Sequence, residues 1–173
     1  MPASDSGFLV NTNLPPRDEI EAMCRQEGYR LRGIPLCKGP GGPIVAWAKY
    51  GANVTEAEAL TQDWVAKALD AEPAAPVRVP RVYDAWTIRT RYSTIGHIVM
   101  EHVVAPDCEE SDADSVAEAV QWLIGVPAPN SVPGPVGGGP AVHPFFYEWA
   151  SRNLFTYHTV DELQDHLNGV SER

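Results

Sequence analysis

The chain reads as an α+β fold: an antiparallel sheet of about four or five strands, one helix packed on it, and further helices at both ends. Three observations predict it. Short apolar stretches with strand-like alternation recur at 29–38, 44–50, 77–92 and 95–104. Two capping boxes, Thr55-Glu56-Ala57-Glu58 and Thr159-Val160-Asp161-Glu162, each open a helical stretch. Clusters of proline and glycine, 16 and 14 of the 173 residues, punctuate the rest. That length makes one domain with a real core.

Composition bounds the function. The apolar fraction of 44% and five tryptophans indicate a globular chain. A formal charge of −10, with only 13 scattered Lys and Arg, disfavours nucleic acid and anionic membrane surfaces, since both must be met by clustered cations. Cys24, Cys37 and Cys108 lie far apart without a CxxC spacing, which fits free thiols in a reducing compartment. The first 16 residues lack a basic, then apolar, leader pattern, and no apolar run approaches the ~18 residues of a membrane span. A cytoplasmic location is the expectation.

In chain order, 1–16 reads as a flexible arm. A short helix follows at 15–27, with Ile20, Met23 and Cys24 at helical spacing, acids in its first turn and Gly28 as its stop. After the strand at 29–38, Gly39-Pro40-Gly41-Gly42-Pro43 reads as a hairpin turn. A phosphate cradle needs successive backbone N–H groups, and two of these five residues have none. On the strand 44–50, Ile44, Ala46 and Ala48 share one face, and Val45, Trp47 and Lys49 the other. Thr55 caps a helix to Leu69, whose apolar stripe is Ala57, Leu60, Thr61, Trp64, Val65, Ala68 and Leu69. Glu58 has two competing roles in it: closing the capping box, or reaching Lys49.

Strand 95–104, IGHIVMEHVV, is the clearest in the chain. An acidic linker leads to a helix over 112–124, with Val116, Ala119, Val120, Leu123 and Ile124 expected to be buried. Residues 126–144 are Pro/Gly-rich, and a last helix opens at Thr159, with Leu163 and Leu167 facing in and Gly169 as its stop. The organisation is therefore an arm at 1–16, a lobe at 17–104, and a tail at 105–173 packing on that lobe.

Taken in order, VAWAKYG, VTEAEALTQDWV, VRVPRVYDAW, GHIVMEHV, SVAEAVQWLIGVPAP, GPVGGGP and VDELQDHLN span about 44–168. This set resembles fungal kinase-like proteins of the aminoglycoside phosphotransferase and choline kinase group. The resemblance implies a kinase-like small lobe over 17–104. It implies that Lys49 pairs with the α/β-phosphates of a nucleotide and that Glu58 holds that lysine. It places Met100 at the back of the pocket and gives Glu101 and Val103 backbone groups for an adenine. ATP and Mg²⁺ would be cofactors only if phosphoryl transfer persists.

Three departures oppose ordinary ATP chemistry. No HxD or DFG-like tripeptide follows residue 104, so the carboxylates that hold metal and accept the proton are missing from this stretch. The residue two before the lysine, which lies over the adenine and is usually small in such strands, is Trp47. The glycine-rich loop is replaced by GPGGP.

Other constellations are weaker. His97 and His102 fall on opposite faces of one strand, and Asp161, Glu162, Asp165 and His166 read as a solvated helix face, so no metal site is assigned. No GxSxG occurs. If the pocket serves new chemistry, an acid/base pair from Tyr83, Asp84, Glu101 and His102, under Trp47 and Trp86, is where it would lie. The aromatic segment 144–157 either folds back on the lobe or leaves an apolar patch for a partner or for self-association.

Three function classes follow. The leading one is a non-catalytic, truncated, pseudokinase-type domain that binds a small molecule or a protein. The second is an enzyme whose pocket has been turned to non-phosphoryl chemistry on an apolar small molecule. The third is a fragment of an ATP-dependent phosphotransferase.

Overall fold

The computed structural model describes residues 7–28, 33–91, 93–140 and 155–171. The chain divides into two compact units, Met1–Val126 and Pro127–Arg173. The first carries helix α1 (Arg17–Glu27), strands β1 (Gly33–Cys37) and β2 (Ile44–Gly51), helix α2 (Glu56–Asp70), strands β3 (Val82–Arg89) and β4 (Thr94–Met100), and helix α3 (Ala113–Gly125). The second carries α4 (Val160–Ser171). The architecture is α+β, with one open, four-stranded antiparallel sheet in the order β1-β2-β4-β3.

Helices cover both faces of that sheet. Ile20 and Cys24, one turn apart on α1, pack on a face built from Ile34, Leu36, Ala46, Ala48, Tyr50, Trp86 and Val99. The opposite face carries Val82, Ala85 and Ile98, and Ala59 of α2 sits against them with Val54 and Phe8. This double cover explains why central β4 is buried without a break from Ile95 to Val99 instead of alternating. Burying one such aliphatic side chain contributes about 1.5–3 kcal/mol.

α2 is phased differently from the stripe predicted for it. Its buried residues are Ala59, Asp63, Ala66 and Leu69, while Ala57, Leu60, Thr61, Trp64, Val65 and Ala68 are half-buried. Small side chains at 59 and 66 let the helix lie close to the sheet. The Asp63 carboxylate is accommodated at the helix edge by Lys67, one turn on, at 2.7 Å. Lys67 Nζ also donates to the Gly7 carbonyl at 3.2 Å. From Gly7 onward the N-terminal segment lies on the first unit: Phe8 is buried, Asn11 Nδ2 donates to the Val45 carbonyl at 3.3 Å, and Leu14 packs near α1. Residues 1–6 of the predicted arm lie outside the described residues, as do 29–32 of the first predicted strand.

The GPGGP stretch is the β1–β2 turn. Gly39 and Gly41 have φ of 76° and 69°, which β-carbon-bearing residues rarely adopt. The N–H groups of Gly39 and Gly42 are spent inside the turn, on the Cys37 and Gly39 carbonyls. With Pro40 and Pro43 lacking theirs, it is built as a turn and not as an anion cradle.

The expectation for α3 fails. Val116, Val120, Leu123 and Ile124 are exposed and Ala119 is half-buried, so no residue of this helix is buried. The periodicity correctly marks an apolar stripe, but none of the described residues packs over it closely enough to bury it. In the second unit, Thr159 Oγ1 accepts from Glu162 N–H at 3.1 Å, and the Glu162 carboxylate accepts from His158 N–H at 2.7 Å. α4 runs through Gly169, its predicted stop. Phe155 and Tyr157 set their rings edge-on to His166, at 4.5 and 5.7 Å. The remainder of the aromatic segment, 144–154, lies outside the described residues.

Candidate functional site

Lys49 and Glu58 meet. The Lys49 ammonium forms an ion pair with Glu58 Oε1 across the space between β2 and α2. Local structure sets this up. Lys49 lies opposite Ile98 in the ladder, which puts it on the α2 face. The turn closed by Val54 N–H on the Gly51 carbonyl brings the chain round, and Thr55 Oγ1 caps α2 by accepting from Glu58 N–H at 3.1 Å. Thr55 thus takes the Glu58 backbone while the Glu58 carboxylate goes to the lysine, which resolves the competition between its two roles. Both side chains stay reachable, at 38% and 35% exposure.

Trp47 lies two residues before Lys49 on the same face, opposite Met100. Its indole lies against the backbone of β1: a β-carbon at Gly33 would stand 2.3 Å from Trp47 Nε1. The imidazole of His102 stacks beside the indole, with centroids 6.1 Å apart and planes 20° from parallel. Met100 is half-buried, with its sulfur 3.5 Å from Gln62 Nε2, which also donates to the Pro80 carbonyl at 2.7 Å. Gln62 was not singled out from the sequence, although its place one turn after Glu58 put it on the same helix face.

Glu101 is fully engaged as a side chain. Arg78 Nη1 donates to both of its carboxylate oxygens at 2.8 Å, and Glu101 N–H donates to the Arg81 carbonyl at 2.9 Å. Arg78 holds the Glu101 carboxyl below its ordinary range. Val103 is exposed at the start of the coil beyond β4.

The four residues considered for an acid/base pair are engaged as follows. Asp84 pairs with Arg17 of α1, at 2.6 and 2.7 Å, and Tyr83 packs against the α1-side core. Glu101 is tied to Arg78, and His102 stacks on Trp47. Trp86 belongs to the α1 face and Trp47 to the α2 face, so they do not roof one pocket.

The α1 face holds a ring cluster centred on His97, which the sequence raises only as a possible metal ligand. His97 is 2% exposed and lies between two rings. Trp86 stacks on it at 4.9 Å and 4°, and Tyr50 at 6.3 Å and 19°. Arg17 sits over the Trp86 ring, at 5.0 Å, and Glu21 accepts from Trp86 Nε1 at 2.8 Å. His97 Nδ1 has no hydrogen-bond partner, and burial lowers the pKa of the ring. Burial likewise pushes the Cys24 thiol up to about 11, which makes it an inert core group.

Among the described residues no three or more His, Cys, Asp or Glu side chains gather to hold a metal ion. Nor, among them, is any helix long and apolar enough to cross a membrane. No protein-family model, curated protein or solved structure matches the chain.

Proposed function

We propose that the first unit is a kinase-like small lobe that binds a small molecule on its Lys49 face without catalysing phosphoryl transfer. The observation that carries this reading is the Lys49–Glu58 ion pair between a sheet lysine and the first turn of the following helix. In kinase-like proteins that pair positions a lysine for phosphate oxygens. Stability gives little reason for it here, because pairs this exposed contribute about 0–1 kcal/mol. The lysine also keeps donor capacity: an ammonium has three N–H groups, and Glu58 Oε1 takes one.

One feature supports the non-catalytic part. Trp47 fills the space over Gly33, where the resemblance would put a nucleotide base.

Thermal unfolding of the full chain with Mg·ATP tests the reading, with wild type beside Trp47→Val and Trp47→Val/Lys49→Ala. We expect wild type to be unmoved. Trp47→Val should gain roughly 3–6 °C at ten times its Kd, the shift expected from about 1.4 kcal/mol of binding linkage. The added Lys49→Ala change should abolish that gain. Stabilisation of wild type by Mg·ATP would overturn the role given to Trp47 and favour a phosphotransferase fragment. No response in any variant would remove the nucleotide ancestry from the account.

A further inference from the structure

We infer that the outer face of Trp47 is a stacking platform for a flat ring carrying a single negative charge, and that His102 occupies that platform in the free protein. The inference rests on the reading of the Lys49 face as a ligand site and names the class of ligand it takes.

The two rings differ in how they are held. Trp47 sits within a strand paired on both sides, and its indole is backed by the β1 backbone at Gly33. His102 lies beyond β4, one residue past the last backbone bond that ties this stretch to its neighbour, Glu101 N–H on the Arg81 carbonyl. Both side chains are half-buried, so the stack is open to solvent along part of its edge. A fixed indole beneath a ring on a non-ladder segment is a stack that can be exchanged.

Charge then narrows the ligand. Lys49 is two residues along the same face, so its root lies about 7 Å from that of Trp47. Its ammonium has two N–H groups beyond the one Glu58 takes. A ring joined by a short linker to a carboxylate meets both groups. A single charge is favoured over several because the chain carries a net charge of −10.

The test follows the Trp47 indole N–H by NMR in the ¹⁵N-labelled full chain, assigned with Trp47→Phe. Indole-3-propionate and its neutral amide are the probes, with Mg·ATP in parallel. The acid is expected to give a saturable shift and to bind His102→Ala two- to tenfold more tightly, the range of one aromatic stack. Lys49→Met should remove the preference for acid over amide. Equal or weaker binding to His102→Ala would overturn the inference, as would a signal that never saturates at millimolar acid. Saturable binding of Mg·ATP to wild type without binding of the acid would sink this inference while leaving a ligand site at Lys49. If neither binds, the inference and the site reading fall together.

Discussion

Replacing Gly96 with alanine destabilises the first unit more than any other single methyl group added to the sheet. A β-carbon there would stand 1.9 Å from the Val54 carbonyl oxygen and 2.7 Å from its carbon. Both are backbone atoms of the turn that launches α2, so no rotamer change relieves the contact. The turn must lift. Val54 leaves its apolar cluster, the Thr55 cap is strained, and Glu58 is carried away from Lys49. Overpacking typically costs about 1–3 kcal/mol, and a backbone obstacle puts this case at or above the top of that range. Urea unfolding followed by tryptophan fluorescence measures it. Gly33→Ala is the control. Its nearest obstacle is the Trp47 side chain at 2.3 Å, which can swing aside, so the cost should be smaller and the indole should become more exposed. A loss under ~1 kcal/mol for Gly96→Ala would mean that the 52–55 turn does not rest on β4.

The second large effect is a dependence of stability on pH centred on His97. Its pKa is lowered in the fold, first by burial, with the Glu21 carboxylate opposing. The groups around it are Trp86, which also carries Arg17 over its ring, Tyr50 of β2, and Glu21 of α1. The sign follows from linkage. The unfolded chain protonates this histidine near pH 6.5 while the folded chain keeps it neutral. Its contribution is therefore fully present above pH 6.5 and falls as pH drops toward the folded pKa, by at most about 1.4 kcal/mol per pH unit. His97→Phe keeps a ring between Trp86 and Tyr50 and removes the unpartnered nitrogen. It should flatten the curve between pH 6.5 and 5, so that the variant exceeds wild type by up to about 2 kcal/mol at pH 5 relative to their difference at pH 7. Parallel curves over that window would show that His97 does not titrate with folding. The contribution of Glu101, held low by Arg78, is present above the usual carboxylate range and is lost as pH falls below it.

Much of the fold was legible because it rests on local rules. The hairpin at 38–43 follows from its Gly/Pro content, the α2 cap from Thr55 and Glu58, and the strands from their β-branched runs. The meeting of Lys49 and Glu58 was legible as a question and not as an answer, since one carboxylate had two plausible partners. Three features were not legible. The phase of α2 is set by close approach at Ala59 and Ala66, and alanine carries too weak an apolar signal to fix it. The exposure of α3 depends on what packs over it, which periodicity does not encode. The Arg17–Trp86–His97–Tyr50 cluster draws on four elements, separated by up to 80 residues, and no local pattern announces it.

The chain's lysines are Lys38, Lys49 and Lys67, and they make the most direct test of the central claim that the Lys49 face binds a ligand. Brief acetylation of the full chain, read site by site by mass spectrometry, reports on all of them in one sample. Lys38, on the β1–β2 turn, and Lys67, on α2, serve as internal controls. With saturating indole-3-propionate, acetylation of Lys49 should fall severalfold while Lys38 and Lys67 react as before. Equal rates at Lys49 with and without the ligand, or equal protection at all three sites, would contradict the claim.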